Sequence, residues 1–132
     1  MQWAGKWVAW GAVIMALSVG IGAFGAHMLE DVISSDALTV YETGVQYHMI
    51  HGLAVILAGI CGGWLGESKK LRLAGLLFIA GVIIFSGSLY VLALSGEKWL
   101  GAITPIGGVS FIAGWLLLAA GALEGARKGS RY

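Results

Sequence analysis

Four long apolar runs, separated by short polar segments, organise this chain. Residues 7–26, 43–66, 73–96 and 99–123 contain no Asp, Glu, Lys or Arg, and together they make up 93 of the 132 residues. The runs are 20, 24, 24 and 25 residues long. About 20 helical residues cross a hydrocarbon core of roughly 30 Å. Backbone polar groups in lipid need partners inside their own segment, which selects helices, and the alternating pattern of a membrane β-barrel is absent. The pattern predicts an all-α integral membrane four-helix bundle, a single transmembrane domain over 1–132 with helices near 3–26, 40–66, 72–95 and 104–124.

Small residues indicate which helix faces meet, because they let backbones approach closely in lipid. At about 100° per residue, Gly5, Ala9, Ala12, Ala16, Gly20, Ala23 and His27 form one stripe on the first helix. Trp3, Trp7, Trp10, Ile14 and Ile21 lie opposite. The small stripe is expected to face the bundle and to carry His27 inward at the outer end. On the second helix Tyr41, Gly44, His48, His51, Val55, Gly59, Gly62 and Gly66 share a face, which places both histidines inward. Gln46 falls on the opposite side, where it either reaches the headgroups or meets another protomer. Ala74, Gly81, Ser88 and Ser95, and likewise Gly107, Gly114 and Gly121, recur every seven residues, as in shallow left-handed packing. Gly121 and Gly125 add a GxxxG, and Gly52–Gly59 faintly echoes Gly114–Gly121, as a parallel repeat of two hairpins would.

The segments between the runs carry start signals. Residues 28–38 mix Glu30, Asp31 and Asp36 with Leu29, Val32, Ile33 and Leu38, a pattern for a short amphipathic helix on the outer surface. Thr39 and Glu42 match a capping box opening the second span, with Thr39 as N-cap. Thr104 and Pro105 are expected to open the fourth, Thr104 as cap and Pro105 at the first helical position.

Composition agrees with this picture: 58% of residues are hydrophobic and 11% charged, against about 25% charged in soluble domains. The distribution of charge adds an orientation. Lys6, Lys69, Lys70, Arg72, Arg127, Lys128 and Arg131 fall on one side of the predicted bundle and only Lys98 on the other. The positive-inside rule then places both termini in the cytoplasm. The first run exceeds the usual 7–15 apolar residues of a signal peptide, which favours an anchor over a cleaved leader. The single Cys61 excludes an intramolecular disulfide.

Candidate chemistry gathers in one layer. At ~1.5 Å per residue from Val40, His48 lies ~12 Å and His51 ~16 Å into the second helix. Tyr47 on that helix, Ser86, Ser88 and Tyr90 on the third, and Ser110 on the fourth share the outer half, with His27 above. Ionisable groups within a membrane mark pathways, relays or ligands, and histidine changes charge near neutral pH. The bland alternative is neutral rings hydrogen-bonded between helices. A metal set of His27, His48 and His51 with Glu30 lacks reliable spacing, and a haem would need histidines at different depths. No phosphate loop, nucleophile–base pair or nucleic-acid motif is present. Neither a catalytic residue nor a cofactor is expected.

The stretches GAFGAH (Gly22–His27), YETGVQYHMIHGLA (Tyr41–Ala54), FSGSLYVLALSG (Phe85–Gly96) and ITPIGGVSFIAGW (Ile103–Trp115) carry a resemblance. Together, and in this order, they resemble the YgdD/YwdK-like small bacterial membrane proteins grouped as domain of unknown function 423, related to eukaryotic transmembrane protein 256. Met28 departs from the glycine expected after the histidine. The resemblance implies a four-helix protein of the bacterial inner membrane and supplies no catalytic residues. With the residue reading, it gives the expectation of a non-enzymatic, homo-oligomeric membrane protein with an outward-opening polar pocket for a small solute or protons. A metal- or haem-binding redox protein and a membrane scaffold or assembly partner are the alternatives.

Overall fold

A computed structural model describes residues 3–129; Arg131, counted above toward the orientation, lies outside the described residues. Helix α1 (Ala4–Phe24) continues into a π-helical turn, Gly25–Leu29. After a short turn come α2 (Ser35–Leu65) and α3 (Lys69–Gly81), which runs through a second π-helical turn, Val82–Ser86, into α4 (Gly87–Ser95). A 3-10 segment, Lys98–Ala102, leads to α5 (Thr104–Gly129). The result is four helical spans, each long and apolar enough to cross a membrane: Ala4–Leu29, Ser35–Leu65, Lys69–Ser95 and Lys98–Gly129.

Helix α2 is the hub, with α1 along one side and α3 and α4 along another, while α5 packs chiefly on α3 and the second π turn. Trp7, Ala54, Val55, Ala58, Ala74 and Phe78 form the main core. The α3–α5 seam interlocks as the seven-residue repeats predict. Phe111 sits against Gly81, Phe78 against Gly114, Phe85 against Gly107 and Leu71 against Gly121. A Cβ on Gly107 would stand 2.5 Å from the Phe85 backbone nitrogen, so α5 can rest on the π turn only through glycine. The GxxxG is used within this chain, because Gly125 packs on Leu65.

Helix α1 lies the other way round from the expectation. Ala4, Trp7, Gly11 and Ser18 are buried, whereas Gly5, Ala9, Ala12, Ala16, Gly20 and Ala23 are exposed. The reason lies in the partner, because α2 already supplies the space. Ile14 and Met15 fill the place beside Gly52, Val8 the place at Gly59, and Trp3 that at Gly62. Bulk on α1 and glycine on α2 make most of this interface, with Gly11 of α1 giving space in return to Ile56, so the expected stripe of α1 is left unused. His27, on that stripe, is therefore exposed and does not point into the bundle.

The start of α2 also differs. Ser34 caps it, its Oγ accepting the Ala37 N–H at 3.1 Å. The expected surface helix over 28–38 is divided between the end of the first π turn, a short turn and the first residues of α2. Thr39 is an interior residue whose hydroxyl donates to the Ser35 carbonyl at 3.0 Å, and Glu42 is exposed one turn further on, so these two form no capping box. A 31-residue helix is about 46 Å long, so α2 begins well outside a ~30 Å core and takes up the segment read as a separate helix. Helix α5 begins at Thr104, so Pro105 is its second residue, one place later than expected. The Thr104 hydroxyl instead reaches the Leu100 carbonyl at 3.3 Å and Ser88 at 2.6 Å, joining α5 to α4.

At the opposite end the α2–α3 loop holds the start of α1. The Ala4 N–H donates to Glu67 Oε1 at 3.2 Å, and Trp7 Nε1 donates to the Arg72 carbonyl at 3.3 Å. Ser68 caps α3 through the Leu71 N–H at 3.2 Å. Gly66 and Gly96, with φ of 94° and 74°, end α2 and α4 in backbone conformations suited to glycine.

Candidate functional site

Both histidines of α2 are buried, at 4% relative exposure each, and every ring nitrogen is engaged. His48 Nε2 lies 2.9 Å from the Ile14 carbonyl, and Nδ1 lies 2.8 Å from the Tyr90 hydroxyl. A carbonyl only accepts, so Nε2 carries the hydrogen and Nδ1 accepts from Tyr90. His51 takes the opposite tautomer. Its Nδ1–H donates to the Tyr47 carbonyl at 2.8 Å, and its Nε2 accepts from Trp115 Nε1–H at 3.0 Å.

The two rings therefore do different jobs. His48 joins α1, α2 and α4, while His51 joins α2 to α5. Tyr90 can donate or accept, so a turn of its hydroxyl leaves His48 free to change partners. Trp115 only donates, which holds His51 Nε2 as an acceptor. His51 is also enclosed by aromatics. Phe111 stacks on it with centroids 3.5 Å apart and planes at 10°, Tyr47 lies parallel at 6.0 Å, and Trp115 meets it edge-on at 5.8 Å.

The hydroxyls of this layer follow the same logic. Ser86 donates to the Gly44 carbonyl at 2.7 Å, Ser110 to the Leu77 carbonyl at 2.7 Å and Tyr41 to the Ile21 carbonyl at 2.5 Å. Ser88 is bonded to the Phe85 carbonyl at 2.9 Å as well as to Thr104. Each chain of donors ends on a main-chain oxygen, which passes no proton onward. Among the described residues no buried side-chain nitrogen or oxygen lacks a partner. The structure thus brings His48 to Tyr90, His51 to Tyr47 and Ser88 to Thr104, and leaves His27 apart. A metal ion or haem on His48 or His51 would have to displace an existing bond, so the residues present do not form a prepared ligand set.

Trp115, Ile14 and Tyr41 were not among the sequence candidates. No local signal distinguishes Trp115, which reaches His51 from 64 positions away. Ile14 contributes through its backbone, from the α1 face assigned to lipid.

Space next to this layer opens sideways. A groove of about 400 Å³ lies between α1 and the α3–π segment, lined by Trp10, Val13, Leu17, Ile79 and Ile83, with His48 the one titratable lining residue. Its walls hold Ile14 and Val82 as well, so the Ile14 carbonyl–His48 bond lies at its edge. At the His27 end of the bundle a notch of about 150 Å³ carries Gln46 and Glu42 beside Gly22, Tyr41 and Met49. Gln46 is exposed there, on the outward face of α2.

With this geometry in place, the chain can be compared with known proteins. A family model described as Protein of unknown function (DUF423) matches residues 21–108, a stretch that includes His27, His48, His51 and Tyr90 and stops short of Ser110 and Trp115. A UPF0382 membrane protein of Staphylococcus haemolyticus is 52% identical over 108 residues, 82% of this chain and 87% of the relative. The UPF0382 membrane protein YwdK of Bacillus subtilis is 45% identical over 114 residues, 86% of this chain and 93% of its own length. A UPF0382 membrane protein of Staphylococcus aureus is 50% identical over 82% of this chain and 87% of its own. No solved structure matches.

Proposed function

This chain belongs to the DUF423 family of membrane proteins, and from that premise we propose that it is a non-enzymatic protein of the inner membrane that binds a small, largely apolar solute taken sideways from the bilayer. The observation that carries this reading is the groove between α1 and α3, with a single titratable side chain, His48, at its back. A volume of about 400 Å³ falls in the usual range of small-molecule sites, which combine apolar walls with few orienting polar groups. A hydroxyl or carbonyl on the solute takes the place of the Ile14 carbonyl at His48 Nε2–H, and only a hydroxyl that of Tyr90 at Nδ1. Among the described residues, six of seven Lys and Arg lie at one end of the bundle, which supports cytoplasmic termini.

The test is photolabelling in lipid nanodiscs with a long-chain alcohol bearing a diazirine. Adducts should concentrate on Val13, Leu17 and Ile83, and Val13→Trp, which fills the groove, should remove them while the fold persists. Labelling spread evenly over all lipid-facing positions, and unchanged in the variant, would sink the reading.

A second reading is favoured by the bare α1 stripe. Gly5 and Gly20 have no neighbour within 4 Å of a built Cβ, and small residues facing lipid forgo the close packing they permit. Together with Gln46 on the outward face of α2, this supports self-association in the membrane, with the protein serving as a scaffold. A detergent-corrected mass equal to one chain would count against it.

A further inference from the structure

The loop-facing end of the bundle opposite His27 contains a second kind of cavity. The first turn of α3 and the last turns of α5 enclose a cleft of about 340 Å³, lined by Lys70, Ala120, Leu123, Glu124, Arg127 and Lys128. Glu124 reaches Lys70 at 2.9 Å and Lys128 at 3.3 Å, and so holds the two ammonium groups on either side of one carboxylate. Lys70 and Lys128 share that single carboxylate, so these three groups together carry a net positive charge, and Arg127 lines the cleft beside them. The first turn of α3 carries Lys69 and Lys70 and no acidic residue. The positive end of α3 and the negative end of α5 meet here and offset each other, so the basic side chains set the local potential. The position also matters. The cleft lies where the charge-free runs 73–96 and 99–123 meet the polar boundary, with apolar Ala120 and Leu123 below a cationic rim.

We propose that this cleft is a phosphate-binding site. The recognised chemistry is the anionic phosphate oxygen, supplied either by the headgroup of an anionic phospholipid or by free phosphate. Basic pockets between membrane helices at this level are suited to such headgroups. Lys70, Lys128 and Arg127 surround the phosphate, Glu124 keeps the lysines spread, and Leu123 meets the first carbons of an acyl chain.

The experiment is native mass spectrometry of the full chain with phosphatidylglycerol or phosphatidylcholine, followed by competition with inorganic phosphate. Wild type should retain phosphatidylglycerol preferentially. Lys70→Gln and Arg127→Gln should each weaken that preference about fivefold, the factor for one basic residue near a headgroup. Lys6→Gln, at the same end but outside the cleft, should leave it intact, and Lys70→Arg should restore it. Displacement by phosphate would support a site that also takes the free anion. Retention of lipid in excess phosphate would support a headgroup site. Equal retention of the two lipids without phosphate binding would overturn the proposal, as would equal losses in Lys6→Gln and Lys70→Gln.

Discussion

Along the α3–α5 seam each helix offers both bulk and space. Phe78 of α3 fills the place at Gly114 of α5, and Phe111 of α5 fills the place at Gly81 of α3. Along the α1–α2 seam most of the bulk comes from α1, with Val8, Ile14 and Met15 against Gly52 and Gly59 of α2, while α1 and its π turn give space back to Ile56 at Gly11 and to Tyr41 at Gly25. The first arrangement leaves a trace in both sequences, as small residues repeating every seven positions. The second leaves one on α1 too, at Ala4, Gly11, Ser18 and Gly25, on the side away from the longer Gly5–Ala23 stripe. A stripe of small residues on a membrane helix therefore shows where a partner can approach, and the partner's own glycines decide whether that offer is taken.

Three substitutions probe the contrast, in order of expected effect. Phe78→Ala empties a fully buried place shared by the core and the Gly114 contact. It should cost about 3–5 kcal/mol, read as a lower midpoint in denaturing-detergent titration; a smaller loss than at any α1 position would undo the view of α3–α5 as the tight seam. Gly59→Val comes next. Its Cβ would stand 2.6 Å from the Ala4 carbonyl oxygen, a backbone atom with little freedom to move. A cost of about 2–3 kcal/mol is expected, along with loss of a cysteine crosslink between α1 and α2. Gly20→Val should be nearly silent, within about 0.5 kcal/mol, because nothing lies within 4 Å of that site. If stability holds and the oligomeric mass falls, the bare stripe is a contact between copies; if both hold, it faces lipid.

The same contrast explains how much was legible in the sequence. The four spans follow from runs without charge, and such runs have few meanings in a chain of this hydropathy. The α3–α5 seam was legible because its glycines repeat in register on both helices. The inward position of His48 and His51 was legible for a similar reason, since they share a face with Gly44, Gly59 and Gly62. The face of α1 was not, because two stripes of small residues compete on it, and the sparser one, Ala4, Gly11, Ser18 and Gly25, is the one that meets α2. The start of α2 was misplaced because Thr39 and Glu42 match a capping box, whereas the cap is Ser34, five residues earlier, which makes Thr39 an interior residue. Trp115 was out of reach because a donor–acceptor pair across two helices depends on rotation and depth, and sequence spacing encodes neither.

The clamp on the beginning of α1 bears on how the molecule is made. Helix α1 leaves the ribosome before the residues that clamp it, since its Ala4 N–H is met by Glu67 and its Trp7 indole by the Arg72 carbonyl. Until those residues have been translated, the first span waits in the membrane without the partners that close its end. The α2–α3 connection and the start of α3 thus act as a latch on α1, closed only once they have been made.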